Sequence, residues 1–445
     1  MRTLSILALL AAPLAAAPAP TAPTFSKDVA PIFFAHCGGC HRPNDIAPMS
    51  LLDYKSARPW AKSIREAVLT RKMPPWFADP HYGSFSNDSR LSARDVATIE
   101  AWVAAGAPEG NPRDLPPVPT VVEGWKQGKP DIVIDIGEDF KVTPGNDAYE
   151  HFVVPTNFTE GRWVRAAEIR PGNRKVVHHV HVNIVHDANE TGSTSIGSMT
   201  ALNNYLIHDG KLTRIRQDAP VVDDACAANA PDLPYLRGFQ DGGLAAYLPG
   251  RPPDVFPDGS AKWIPPGAKL EFVIHYARTE GPPQTDRTSV GLYLAPGKPE
   301  RVLRRLDLRN FFFRLPPNDP NHEVKRCYTF EADKSLISIT PHMHYRGKDA
   351  QYEIVHPNGR REILLSVPHY NFAWQLVYRF QDPVMVEKGS QLIVTVHYDN
   401  SPNNRANPDP SQAIRWGDKS EEEMMTSWIE YVDAPARAGL ASVRK

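Results

Sequence analysis

Lys269-Leu270-Glu271-Phe272-Val273-Ile274-His275-Tyr276 reads as a β-strand ending in His-Tyr, and its form returns at Ser390-Gln391-Leu392-Ile393-Val394-Thr395-Val396-His397-Tyr398. Each follows a histidine-rich strand upstream: Val177-His178-His179-Val180-His181 before the first, Pro341-His342-Met343-His344-Tyr345 before the second. The recurrence points to an internal duplication, two related β-sandwiches each with its own histidine cluster. Further short β runs flank them at 132–134, 152–154, 176–185 and 336–340, separated by turns rich in Pro, Gly and Asn, as in sandwich folds. Proline at 44 of 445 residues suits such a loop-heavy architecture.

Upstream of the β region, Asn111-Pro112-Arg113-Asp114-Leu115-Pro116-Pro117-Val118-Pro119 forms neither helix nor central strand and reads as a semi-rigid linker. Before the linker the signals turn helical. Lys27 to Ala35 leads into Cys37-Gly38-Gly39-Cys40-His41, Ser56 to Leu69 is periodic, and Ser92 to Ala105 is an amphipathic segment with Ser92 as N-cap and Gly106 as stop. In CxxCH each thiol forms a thioether to a haem vinyl group and the histidine becomes the proximal iron ligand. The rival readings, a redox CxxC pair or half of a zinc site, find no second CxxC in the chain. The sixth ligand falls among Met49, Met73 and His81; Met73, presented by Arg71-Lys72-Met73-Pro74-Pro75-Trp76, fits the Met/His pattern. Helix, CxxCH, methionine loop and closing helix is the order of a small cytochrome c, which residues 23–110 resemble.

The N-terminus, Met1 to about Ala17, carries Arg2, an apolar stretch and small residues, an export signal assigned to residues 1–22. No later stretch reaches the roughly 18 apolar residues of a membrane helix, so no membrane anchor is expected after cleavage. Lys plus Arg number 50 against 51 for Asp plus Glu, a net charge of −1 without a basic block, which argues against nucleic acid as a partner. Beyond the CxxCH pair, Cys226 and Cys327 remain, free to pair in an oxidising compartment if their α-carbons come within about 7 Å.

Histidines two apart share one face of a strand, so His342 and His344 can converge on one ion, and imidazole suits copper, zinc and iron alike. The scattered His36, His151, His186, His208, His322, His356 and His369 are expected to be ordinary polar residues. The ordered strings His178-His179, Ile274-His275-Tyr276, His342-Met343-His344 and Glu422-Glu423-Met424-Met425 resemble the copper type II, ascorbate-dependent monooxygenases over about residues 131–433. That resemblance implies two jelly-roll sandwiches, here 131–300 and 301–435, each with one copper. It implies an electron-transfer copper on His178, His179 and His275, and an oxygen-binding copper on His342, His344 and Met424, whose soft thioether favours Cu(I). Two departures stand out. Strand alternation pairs His179 with His181 unless the strand is distorted, and His397, the repeat counterpart of His275, matches no ligand in the animal enzymes, leaving it a third imidazole or a residue orienting a ligand.

The fold expected is therefore a small all-α cytochrome c domain followed by two all-β jelly-roll sandwiches. The function expected is a periplasmic or secreted copper monooxygenase that hydroxylates a C–H bond of a small organic substrate with dioxygen. Its electrons would pass from an external donor through a covalent c-type haem to two copper ions; the alternative is a haem and copper electron-transfer or copper-binding protein without oxygenase activity. In the peptide-amidating branch of the family, an arginine and a tyrosine grip a substrate carboxylate; here Thr340 and Trp428 hold those positions, which points to a neutral, partly apolar substrate.

Overall fold

In the computed structural model, the strand Lys269–Tyr276 lies between Ala148–Pro155 and Val177–Val185 and pairs antiparallel with both. The structure describes residues 22–434 except 44, 46, 121–123, 146–147, 186–204, 209–210, 215–219, 231–238, 241, 249–252, 278–279 and 418. Gly243–Tyr247 completes this four-stranded sheet. It packs on a second sheet in the order Ile132–Asp135, Ser289–Leu294, Arg162–Arg170, Ser260–Ile264, Arg301–Val302. Leu270, Phe272 and Ile274 from the first sheet and Val164, Val290 and Leu292 from the second are fully buried in one shared core. Each such side chain contributes roughly 1.5–3 kcal/mol when removed from water.

The strand Gln391–Tyr398 holds the same place, second from the edge, in the sheet His322–Thr329, Gln391–Tyr398, Gly347–Val355, Arg361–Val367. Its partner sheet runs Tyr378–Val386, Lys334–His342, Thr426–Asp433, Arg304–Arg309, Phe239–Gln240. Leu336, Ile339 and Ile429 meet Tyr352, Val394 and Val396 in a separate core. Cys226 and Cys327 are bridged, their α-carbons 5.3 Å apart across a sequence separation of 101. Closing a loop of that length restricts the unfolded chain by about 4–5 kcal/mol in the chain-entropy account.

The described residues divide into two compact units, and all the strands above belong to the larger. The smaller combines residues up to 42, 49–72 and 91–119. Its helices Ala30–His36, Ala61–Leu69 and Ala93–Ala104 bury Phe33, Val68, Ile99 and Trp102 together with Phe25. Ser92 caps the last of them through a reciprocal Ser92–Asp95 capping box, and Gly106 turns the chain out of it at φ 87°.

The expected separate all-α cytochrome c domain over 23–110 does not form. Among the described residues the chain is mostly β, and the longest helix there has 12 residues. Residues 73–90, which include the loop expected to present Met73 within that domain, belong instead to the β unit. There Phe85 bridges to Phe380, the Asn87 amide donates to the Val377 carbonyl at 2.7 Å, and Trp76 packs edge-on against Tyr378. The aromatic residues after the proline pair find their burial on a sheet edge, which a small helical domain could not offer them. The proposed export signal, apart from its last residue, lies outside the described residues, and no described helix is long and apolar enough to cross a membrane.

Candidate metal centres

The strand Val177–Val185 carries the distortion that plain alternation lacks. His275 pairs with His179 and Tyr276 with Val177, so the register skips His178, which bulges out of the ladder. A bulge turns two successive side chains toward one side, and the Nδ1 atoms of His178 and His179 lie 3.2 Å apart. The Nδ1 of His275 lies 3.2 Å from that of His178 and 3.3 Å from that of His179. Each neutral imidazole Nδ1 carries either a proton or a lone pair. With three in mutual contact, two must be alike, and at least one edge of the triangle sets proton against proton or lone pair against lone pair. A cation accepting three lone pairs removes the conflict. Burial, with His275, His181, His178 and His342 adding to it, holds His179 well below the usual histidine range, in the neutral form a metal requires. Tyr149, opposite His275 in the ladder, stacks flat on that ring at 4.4 Å.

The second cluster is assembled at strand ends. Lys334–His342 pairs antiparallel with Thr426–Asp433, with Thr340 opposite Trp428 and His342 opposite Thr426. His344 and Met424 lie just beyond the two strand ends, each two residues outside the ladder. A buried carboxylate holds them there: Glu423 Oε2 accepts from the backbone N–H of His344 at 2.8 Å and of Met424 at 3.1 Å, while Oε1 accepts from that of Arg346 at 2.7 Å. Burial pushes the Glu423 carboxyl up to about 7 against these bonds. The Met424 carbonyl accepts from the Tyr398 hydroxyl at 2.8 Å. His342 Nδ1 meets Gln375 Oε1 at 3.0 Å and His344 Nδ1 meets the Glu422 carbonyl at 3.4 Å. Both contacts put the proton on Nδ1 and the lone pair on Nε2. Burial lowers His342 to about 4 and His344 well below the usual range. Two buried neutral imidazoles, with Met424 tied to the same carboxylate as His344, offer nitrogen and thioether donors of the kind that suit Cu(I).

In the smaller unit, the Cys37-to-His41 stretch makes a turn in which the His41 N–H donates to the Cys37 carbonyl at 2.9 Å. Cys37 and Cys40 are not bridged, and burial, with Cys40 beside it, pushes the Cys37 thiol up to about 12. His41 Nδ1 faces the Met49 carbonyl at 3.3 Å, which again leaves Nε2 for a metal, and burial lowers this histidine. Met49 stays in this unit, whereas Met73 and the exposed His81, held to Asp79 at 2.7 Å, fall in the segment 73–90 of the other.

The structure thus brings together His178, His179 and His275, sets the His342 and His344 rings 5.3 Å apart, and ties the backbones of His344 and Met424 to one carboxylate. It separates His397 from either cluster. His397 Nδ1 meets Asp349 at 2.6 Å and its Nε2 lies 3.5 Å from Glu323, carboxylates on the two strands flanking its own. His181 stands outside the Nδ1 triangle, its ring 5.3 Å from that of Trp428. His151, His322 and His356 contact carboxylates, in line with their ordinary reading. Trp428 gives its indole N–H to Asp307 at 2.9 Å rather than to a pocket. With Thr340 it lines a cavity of about 30 Å³, room for roughly one water, whose wall also holds Lys262, Arg305 and Glu430. That lining sets these charged groups beside Leu244, Ala245, Leu248 and Val377, so the cavity wall is partly polar and partly apolar. The sequence reading missed Gln375 and Tyr149, which carry no local motif, and gave no role to Glu423 although its neighbour Met424 was singled out.

Residues 313–439 match the family model of the copper type II ascorbate-dependent monooxygenase, C-terminal domain. The matched stretch contains His342, His344, Gln375, Glu423 and Met424. No curated protein matches the chain.

Proposed function

We propose that this chain is a copper-dependent monooxygenase that hydroxylates a C–H bond of a small organic molecule with dioxygen, in an oxidising compartment outside the cytoplasm. The observation that carries the reading is the triangle of Nδ1 atoms on His178, His179 and His275, within the same compact unit as the matched domain. His178, His179 and His275 would hold one copper; His342, His344 and Met424 would hold the other. When bound, the two ions supply one-electron transfer and the activation of dioxygen. The chain's own residues do the rest. Gln375 and the Glu422 carbonyl fix the tautomers of His342 and His344, Glu423 ties the backbones of His344 and Met424 together, and Tyr149 packs flat on His275. The Cys226–Cys327 bridge fits the compartment.

Cys37 and Cys40 are proposed to carry a covalent haem with His41 as proximal ligand, supported by two unbridged thiols at the attachment spacing and by the His41 contact with the Met49 carbonyl. Denatured mature protein from a host competent in haem attachment should retain one haem by mass spectrometry. Met73→Ala should remove the sulfur-to-iron absorption band and lower the reduction potential; the same loss from Met49→Ala instead would move the sixth ligand into the smaller unit.

The central test is incubation of the copper-loaded, reduced protein with a metabolite extract under labelled dioxygen. One labelled oxygen atom should appear in an organic product, with oxygen uptake matching product formed. Binding of two coppers without any oxygen uptake would make the protein a metal-binding electron carrier.

A further inference from the structure

Four rings connect the two histidine clusters without a break. The His179 ring lies 5.6 Å from that of His181, His181 lies 5.3 Å from Trp428, and Trp428 lies 5.2 Å from His342. His179 belongs to the first cluster and His342 to the second; His181 and Trp428 belong to neither. We propose that His181 and Trp428 are the electron bridge between the two copper centres, an inference that rests on the copper reading above.

Two features of the chain favour this role. Electron tunnelling weakens steeply with distance and passes better through packed, conjugated side chains than through open space, and each ring here lies within 5.6 Å of the next. Trp428 is also held rigidly. Its indole N–H is fixed on Asp307, which is itself fully buried and gripped by Arg309 at 2.6 and 2.8 Å, and the Arg305 guanidinium lies 5.3 Å over the ring. The strand register brings Trp428 directly opposite Thr340, two residues before His342, so the bridge ends on the ring that Gln375 orients. With copper bound at both places, one electron would pass from a reduced ion held by His178, His179 and His275 to an oxidised ion held by His342, His344 and Met424, one ion losing and the other gaining one unit of charge, with no bond formed or broken.

The test uses the full chain loaded with cupric copper, with copper counted by elemental analysis. Each protein is mixed anaerobically with half an equivalent of dithionite and freeze-quenched over a time series, and electron paramagnetic resonance follows the cupric signals of the two sites. Wild type should redistribute the electron between sites in a fast phase. Trp428→Leu should bind two coppers and lose that fast phase, while Trp428→Phe, which keeps a ring, should restore it. Should Trp428→Leu fail to fold, His181→Leu set against His181→Phe makes the same comparison, again with the copper count as control. Two bound coppers with redistribution at the wild-type rate in the leucine variants would overturn the bridge alone. A wild-type chain that does not bind two coppers would overturn the copper reading and the bridge with it.

Discussion

Val177–Val185 is the immediate neighbour of the strand bearing His275, whereas Lys334–His342 runs in the sheet opposite the strand bearing His397. The two His-Tyr strands occupy equivalent places in their own sheets, yet only the first meets its histidine-rich strand edge to edge. His275 therefore joins His178 and His179 through a backbone ladder and one bulge. His397 faces two carboxylates on its own sheet, and the second cluster meets a different element, Glu422 and Glu423 just before the strand Thr426–Asp433. In a duplicated β fold, which sheet receives a strand decides whether a repeated residue keeps its role. The first centre is rigid because hydrogen-bonded strands define it; the second depends on one carboxylate, Glu423, and one amide, Gln375, to hold strand ends in place.

The sharpest break in this comparison is His344→Ala, or His342→Ala, which should abolish oxygenation and reduce the copper content from two ions to one, as elemental analysis would show. Next, His275→Ala should remove the copper of the triangle while the second site stays loaded; turnover with an external reductant should then stall after the electrons stored at one site are used. Loss of both ions from either variant would mean that the centres are not built independently. Gln375→Leu leaves the His342 ligand in place but frees its tautomer, and should cost about 10–100-fold in copper affinity at the second site or in activity. Smallest of all, His397→Ala should leave both ions bound and activity within about tenfold, below the range expected for a residue that orients a ligand. Loss of an ion on that substitution would restore the symmetry that the sheet topology breaks.

Much of this arrangement was legible in the sequence. The alternation and His-Tyr endings of residues 269–276 and 390–398 announced two sandwiches because side chains on a strand repeat every second residue. His342 and His344 were readable as a pair for the same reason. The pairing of His178 with His179 was not derivable from periodicity, since it depends on a skipped residue that only the register with Lys269–Tyr276 reveals. Gln375 and Glu423 act through contacts across 33 and 79 residues of chain, and no local pattern encodes such a distance. The reading of 23–110 as a separate helical cytochrome fails at residues 73–90: Met73 and its proline pair suggest an axial-ligand loop, but Trp76 and Phe85 beyond them are buried against Tyr378 of the sheets.

The bulge at His178 amounts to one residue inserted into an otherwise regular strand. Deleting His178 would let Val177 follow directly on His179 in the pleat, with the paired neighbours of Val180, Val182 and Ile184 unchanged. The sandwich would keep its core and the chain its fold, while the cluster would shrink to two imidazoles on adjacent strands. A single codon thus separates an ordinary ladder from one that gathers three imidazoles at one point.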